Sequence, residues 1–105
     1  MADAKAAVNV VHNENGKRLE AYVDGQLAGI AEYIPAKQVL AFVHTEVEPA
    51  FEGRGVGSAL AKAALDMVRE ADTRYLAVCP FIAAWAARHP EYEPWSYRST
   101  SRVVD

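Results

Sequence analysis

With 105 residues the chain has room for one domain and a thin core, and little room for a second. Its apolar share of 51% and charged share of 24% are those of an ordinary globular protein, and no run approaches the length of a membrane span. A net charge of −3 and a pI near 5.6, with no block of Lys or Arg, argue against general affinity for nucleic acid or anionic lipid.

Val8 to His12 is a short β-branched run, and Asn15-Gly16 after it is a hairpin signal. From Arg18 to Val23 the pattern alternates, with Leu19, Ala21 and Val23 on one face and Arg18, Glu20 and Tyr22 on a wetter one. Asp24-Gly25 marks a second tight turn. Gln26 to Ile34 reads as the next strand, with Gly29 as a bulge position, and 35–38 as a turn. These elements predict an antiparallel meander.

Val39 to Val47 is the longest strand candidate. Strict alternation puts Leu40, Phe42, His44 and Glu46 on one face and Val39, Ala41, Val43, Thr45 and Val47 on the other. A glycine-rich loop follows Pro49. Val56 to Ala71 is then a helix, with Leu60, Ala64, Met67 and Ala71 as its apolar face and Ser58, Lys62, Asp66 and Arg69 as its solvated face. Tyr75 to Val78 is a continuous apolar run, the pattern of a strand buried on both sides. Pro80 suits the first position of a second helix, which Pro90 stops near Arg88. Phe81 and Trp85 read as core, and His89 as a helix-end residue bonded to carbonyls. The residues from Tyr92 onward show no period and read as a loosely ordered tail with Trp95 or Tyr97 docked on the body. The strand-helix-strand unit from Val39 to Val78 implies a parallel pair with a right-handed crossover. The fold class is α/β (α+β), one domain over 1–105 with a core at 8–92 and a tail at 93–105.

Glu52-Gly53-Arg54-Gly55-Val56-Gly57-Ser58 joins strand to helix. Glycines there permit positive φ and close approach of a ligand, and the unpaired N–H groups of a helix start attract phosphate. Ser58 adds a hydroxyl and Arg54 a positive charge. No Gly-Lys-Ser/Thr ends the loop, so it is not the nucleotide P-loop, and its glycine spacing is not the dinucleotide fingerprint. A plain helix-capping turn is the alternative reading.

In position and flanks the loop resembles the acetyl-CoA motif of the GNAT acetyltransferases, Q/R-x-x-G-x-G/A. Gly55 and Gly57 match the glycines, and Glu52 stands where the pattern has Gln or Arg. His44-Thr45-Glu46-Val47, Gly53-Arg54-Gly55-Val56-Gly57, Cys79-Pro80-Phe81 and Arg88-His89-Pro90-Glu91-Tyr92 together resemble the minimal single-domain GNAT-like family called YjdJ-type. The resemblance spans about 8–92. It implies a trimmed GNAT fold that binds acetyl-CoA or coenzyme A between two splayed parallel strands, ending near Val47 and Cys79. Implied cofactor-binding residues are Thr45, Glu46, Val47, Gly53, Arg54, Gly55, Val56, Gly57 and Ser58. The implied activity is transfer of an acetyl group to an unidentified amine acceptor, by a monomer or weak dimer. A non-catalytic acyl-CoA-binding module is the alternative.

The resemblance also implies that His44 and Cys79 face the same cleft as candidate catalytic residues. His44 sits in a core strand, and histidine is the residue type whose ordinary proton exchange suits a general base; a histidine bonded to a backbone group is the blander reading. Glu46, two residues on, is a further base candidate or a solvated carboxylate. Cys79, the one cysteine, lies at a strand end and a helix start, where a thiolate is favoured; an inert core thiol is the alternative. A lone cysteine rules out an internal disulfide, and neither it nor the histidines suggest a metal site. The unpaired thiol and the lack of an apolar stretch in 1–7 give a cytoplasmic reading.

Overall fold

The computed structural model describes residues 7–97. Among them, five strands form one sheet in the order β1 (Val8–Asn13), β2 (Arg18–Val23), β3 (Gln26–Ala36), β4 (Val39–Val47) and β5 (Arg74–Ala77). The first four run antiparallel in sequence order, and β5 joins β4 in parallel. Helix α1 (Val56–Ala71) makes the crossover, and α2 (Pro80–Ala87) follows β5. Single 3-10 segments lie at Pro49–Phe51 and Pro90–Trp95. The expected order of elements and the parallel pair are both present.

The turns follow from local chemistry. Asp24 and Gly25 both have positive φ, 51° and 80°, as a two-residue hairpin turn requires. In the first hairpin the left-handed residue is Lys17, at φ 54°, rather than the Asn15-Gly16 pair. There the Asn13 side chain accepts a hydrogen bond from the Gly16 N–H at 2.9 Å and holds the turn from the side.

Both helices pack on one face of the sheet. Leu19, Ala21, Val23, Ala31, Tyr33, Phe42 and Tyr75 from the strands share a core with Leu60, Leu65, Ile82 and Trp85 from the helices. Phe42, Leu60, Leu65 and Ile82 are fully buried, and each contributes about 1.5–3 kcal/mol relative to exposure. The apolar face of α1 is Val56, Leu60, Ala61, Ala64, Leu65 and Val68. It is rotated from the expected one: Met67 is half-buried and Ala71 is exposed.

No helix among the described residues covers the other face of the sheet. Leu76 and Val78 are therefore exposed, at 41% and 55%, although the continuous run Tyr75 to Val78 predicted burial on both sides. Tyr75 alone of that run is buried. The open face instead carries a polar network on Glu20. Asn13 and Arg18 donate to one carboxylate oxygen at 3.0 and 2.7 Å, and the Tyr22 hydroxyl donates to the other at 2.8 Å.

Of the tail expected from Tyr92 onward, residues 92–97 are not loose: Pro90–Trp95 is a 3-10 segment, and Trp95 and Tyr97 dock on the body as expected, while 98–105 lie outside the described residues. Tyr92 is buried and its hydroxyl donates to Asp66 on α1, which also pairs with Lys62 and Arg69. Asp66 is thus an anchor and not simply part of a solvated helix face. The Tyr97 N–H donates to the Tyr75 carbonyl at 2.7 Å, so the chain folds back along the edge of β5. His89 stacks on Trp85 with ring centres 3.6 Å apart and bonds its carbonyl, as a helix-end residue should.

Candidate functional site

Two irregularities in β4 and β5 create the site. The first is a bulge in β4. Glu32 pairs with His44 and Tyr33 with Phe42, so Val43 is an extra residue against β3. One extra residue turns every later side chain to the opposite face. Phe42 points into the core, and beyond the bulge it is Thr45 and Val47 that share its face. His44 and Glu46 point to the open face, which reverses the grouping that strict alternation gave.

The second irregularity is the end of the parallel pairing. The β4–β5 ladder stops at Phe42 and Ala77, while β4 runs on to Val47. The N–H groups of Val78 and Cys79 both turn back to the Phe42 carbonyl, at 3.0 and 2.8 Å. Beyond that point the chain leaves the sheet and begins α2. The two strands therefore part, with residues 43–47 on one side of the gap and Cys79 to Phe81 on the other.

The gap leads to the glycine loop. Gly53 and Gly55 have φ of 82° and 79°, and no atom lies within 4 Å of where a Cβ would stand on either. Both are glycines for their backbone conformation and for open space. Gly55 caps α1, and no side chain caps the helix start. The first N–H groups of this 16-residue helix thus remain available to an anion. Gly57 is a glycine for a different reason: a Cβ there would lie 2.8 Å from the Phe81 ring. Phe81 is 40% exposed, so it is not the core residue expected; with Val47, Phe51, Val56 and Ser58 it lines a cavity of about 330 Å³ beside the loop. Arg54 lies over the Phe51 ring at 5.6 Å. A larger recess of about 760 Å³ lies at the opposite end of the sheet, near Lys37, Asp72 and Arg74.

The architecture has known counterparts. The family model for the GCN5-related N-acetyl-transferases matches residues 18–95. The chain belongs to the GCN5-related N-acetyltransferase family. Protein NATD1 of Xenopus tropicalis is 31% identical over 91 residues, covering 84% of this chain and 83% of its own length. Its counterpart in Bos taurus is 33% identical over 86 residues, covering 79% and 75%. In fold, the chain is similar to the solution structure of a GCN5-like protein from Staphylococcus aureus, with a TM-score of 0.63 at 18% identity over 90% of this chain and 91% of that one.

Within this GNAT frame the predicted catalytic pair does not meet. Cys79 is buried, and its Sγ donates to Thr45 Oγ1 at 3.3 Å. His44 projects from the other face with its side chain 54% exposed, and its Nε2 lies 3.5 Å from Glu46 Oε1. The physical reason is the Val43 bulge, which exchanges His44 for Thr45 on the helix side. The two residues flank the gap from opposite faces of the sheet instead of facing one cleft together. The sequence set Thr45 on the strand face opposite His44 and in a cofactor block, without pairing it with Cys79, and nothing in the alternation of β4 signals the slip.

Burial pushes the Cys79 thiol up. The Thr45 hydroxyl, with backbone groups of Ile82, Phe81 and Thr45, outweighs that and leaves it below the ordinary cysteine value.

Proposed function

We propose that this GNAT protein is an N-acetyltransferase that takes acetyl-CoA into the gap between β4 and Cys79 and passes its acetyl group to an amine. The observation that carries this reading is the cavity that Val47 and Phe81, on the two sides of the gap, share with the glycine loop at an uncapped helix start. The residues fit the cofactor by type. The turn 53–58 offers N–H donors and the Ser58 hydroxyl to a pyrophosphate, with Arg54 as the nearby charge. Thr45, Glu46 and Val47, beyond the last β4–β5 pair, offer unpaired edge backbone to the amide-rich arm. Bound there, acetyl-CoA would supply the activated acyl group.

The residues around the gap divide the proton work. An amine reaching the open face loses its proton to His44 Nε2 as its nitrogen attacks the carbonyl carbon, and the Glu46 carboxylate steadies the imidazolium that results. Cys79 Sγ–H gives its proton to the departing sulfur. A thiol held below its ordinary value is a stronger acid than an unperturbed thiol, which suits this transfer. Proton return from His44 to Cys79 through solvent completes the cycle. Because Cys79 is 5% exposed, its side chain suits an acid touching one sulfur better than a carrier that a second substrate must reach. We place the protein in the cytoplasm, in keeping with its unpaired thiol, and within the YjdJ-type group of trimmed single-domain members.

Incubation with labelled acetyl-CoA and a panel of primary amines tests the activity. Transfer above the rate without protein, lost in His44→Ala, is expected. Binding without transfer to any amine would favour the non-catalytic acyl-CoA module. The uncovered open face favours that second reading, since it leaves an acceptor little enclosure. Acetyl-Cys79 found by mass spectrometry would replace the acid role with a covalent one.

A further inference from the structure

We infer that Thr45 is a positioning residue for the reaction: its hydroxyl holds the Cys79 sulfur at the wall of the gap and stabilises it once the proton has left. The inference rests on the reading of Cys79 as the reacting thiol. It explains why the sulfur has a partner at all, since the residue that resemblance paired with it points away.

The geometry assembles from three separate parts of the chain. The Val43 bulge turns Thr45 onto the helix face of β4. The double hydrogen bond from Val78 and Cys79 to the Phe42 carbonyl fixes where β5 stops and α2 starts. Pro80 at the first helical position makes Cys79 the residue before α2, with its carbonyl accepting from the Ala83 N–H at 3.0 Å. Together these bring Oγ1 of Thr45 to 3.3 Å from Sγ across 34 residues of sequence.

A hydroxyl can reverse its role. While the thiol is protonated, Sγ–H donates to Oγ1. When the proton leaves for the substrate's sulfur, the hydroxyl rotates and donates to the thiolate. The groups that act most on the sulfur are that hydroxyl and the backbone of Ile82, Phe81 and Thr45. No charged side chain is among them. The titratable residues flanking Thr45 on β4, His44 and Glu46, lie on the other face. A neutral partner of this kind makes ionisation easier without fixing the thiolate as permanently as a cationic histidine would.

The test is a pH titration of the ultraviolet thiolate absorbance in wild type, Thr45→Val, Thr45→Ser and His44→Ala. One cysteine in the chain means one thiolate transition, and subtracting the same titration of Cys79→Ser removes the absorbance of the five tyrosines. Valine keeps the shape and removes the hydroxyl, and its midpoint is expected to rise by about one pH unit. Thr45→Ser restores the hydroxyl and returns the midpoint close to wild type, and His44→Ala leaves it unchanged. Thr45→Ala, measured beside valine, gives the same shift if valine disturbs folding. An unmoved midpoint in folded Thr45→Val or Thr45→Ala, or a shift of equal size in His44→Ala, overturns the inference. The titration uses no CoA, so it stands apart from the acetyl-transfer assay. Failure of transfer with the Thr45 shift intact would defeat the proposed function and leave the thiol partner in place.

Discussion

Gly29→Ala strikes the fold at the place where the meander supports the site. Gly29 lies on the core face of β3, opposite Ala21 on β2 and Val47 on β4. A methyl built there would stand 2.7 Å from the Glu46 carbonyl oxygen, 3.0 Å from Val56 Cγ1 and 3.3 Å from Leu60 Cδ1. Leu60 can turn its side chain aside. The Glu46 carbonyl belongs to the backbone of β4, and Val56 is the first residue of α1, so one of these must be displaced. Overpacking of this kind costs about 1–3 kcal/mol. Replacing glycine in a strand returns roughly 0.5–1 kcal/mol through the unfolded chain. The net loss is then about 0–2.5 kcal/mol, out of a total that is about 5–15 kcal/mol for a typical domain. Urea unfolding should show a lower midpoint with an unchanged slope. Because β4 and the start of α1 also border the proposed cleft, CoA affinity should fall in the same variant. A midpoint above wild type would mean that α1 does not sit this close to β3 and β4.

Three further substitutions separate other contributions. Gly55→Ala meets no atom, so its whole effect is the cost of left-handed backbone, about 1–2 kcal/mol by thermal unfolding, and a neutral outcome would refute the positive φ. Tyr92→Phe removes the donor to Asp66 and leaves that carboxylate with Lys62 and Arg69; a loss of about 1 kcal/mol is expected, with faster amide exchange in Pro90–Trp95, and unchanged exchange would show that the segment is held by other means. Hydrogen bonds from Asn13, Arg18 and Tyr22 hold Glu20 down to about 2. A depressed carboxylate contributes stability that is complete above its unfolded value and is lost as pH falls toward the folded one. The destabilisation by Glu20→Gln should therefore be largest near neutrality and fade between about 4.5 and 2, and a pH-independent difference would contradict the network.

The elements legible in the sequence were those written in local chemistry. The Asp24-Gly25 turn, the glycine loop, the helix start at Pro80 and the stop before Pro90 each rest on a residue whose backbone preference decides the outcome. The parallel pair followed from one strand-helix-strand unit. The Val43 bulge was not legible, because Ala41 and Val43 are as acceptable on a buried face as Leu40 and Phe42, and either phase of β4 reads well. That slip decides whether His44 or Thr45 reaches Cys79. The exposure of Leu76 and Val78 was hidden for a related reason: an apolar run states a preference, and only the layout of the layers shows that one face is left uncovered. The anchoring of Tyr92 depends on Asp66, 26 residues away, a pairing that no local pattern announces. At the glycine loop, the contrast between Gly55 and Gly57 was equally invisible. One is fixed by φ and the other by the Phe81 ring.

The gap beyond Phe42 and the turn at Gly55, if they form one cofactor site as proposed, should respond to CoA together. Amide chemical-shift mapping during titration with CoA tests this most directly. The largest shifts are expected in residues 43–47, 53–58 and 78–81, with little change at Lys37, Asp72 and Arg74. Shifts confined to the recess at that opposite end of the sheet, or no saturable shift at all, would contradict it.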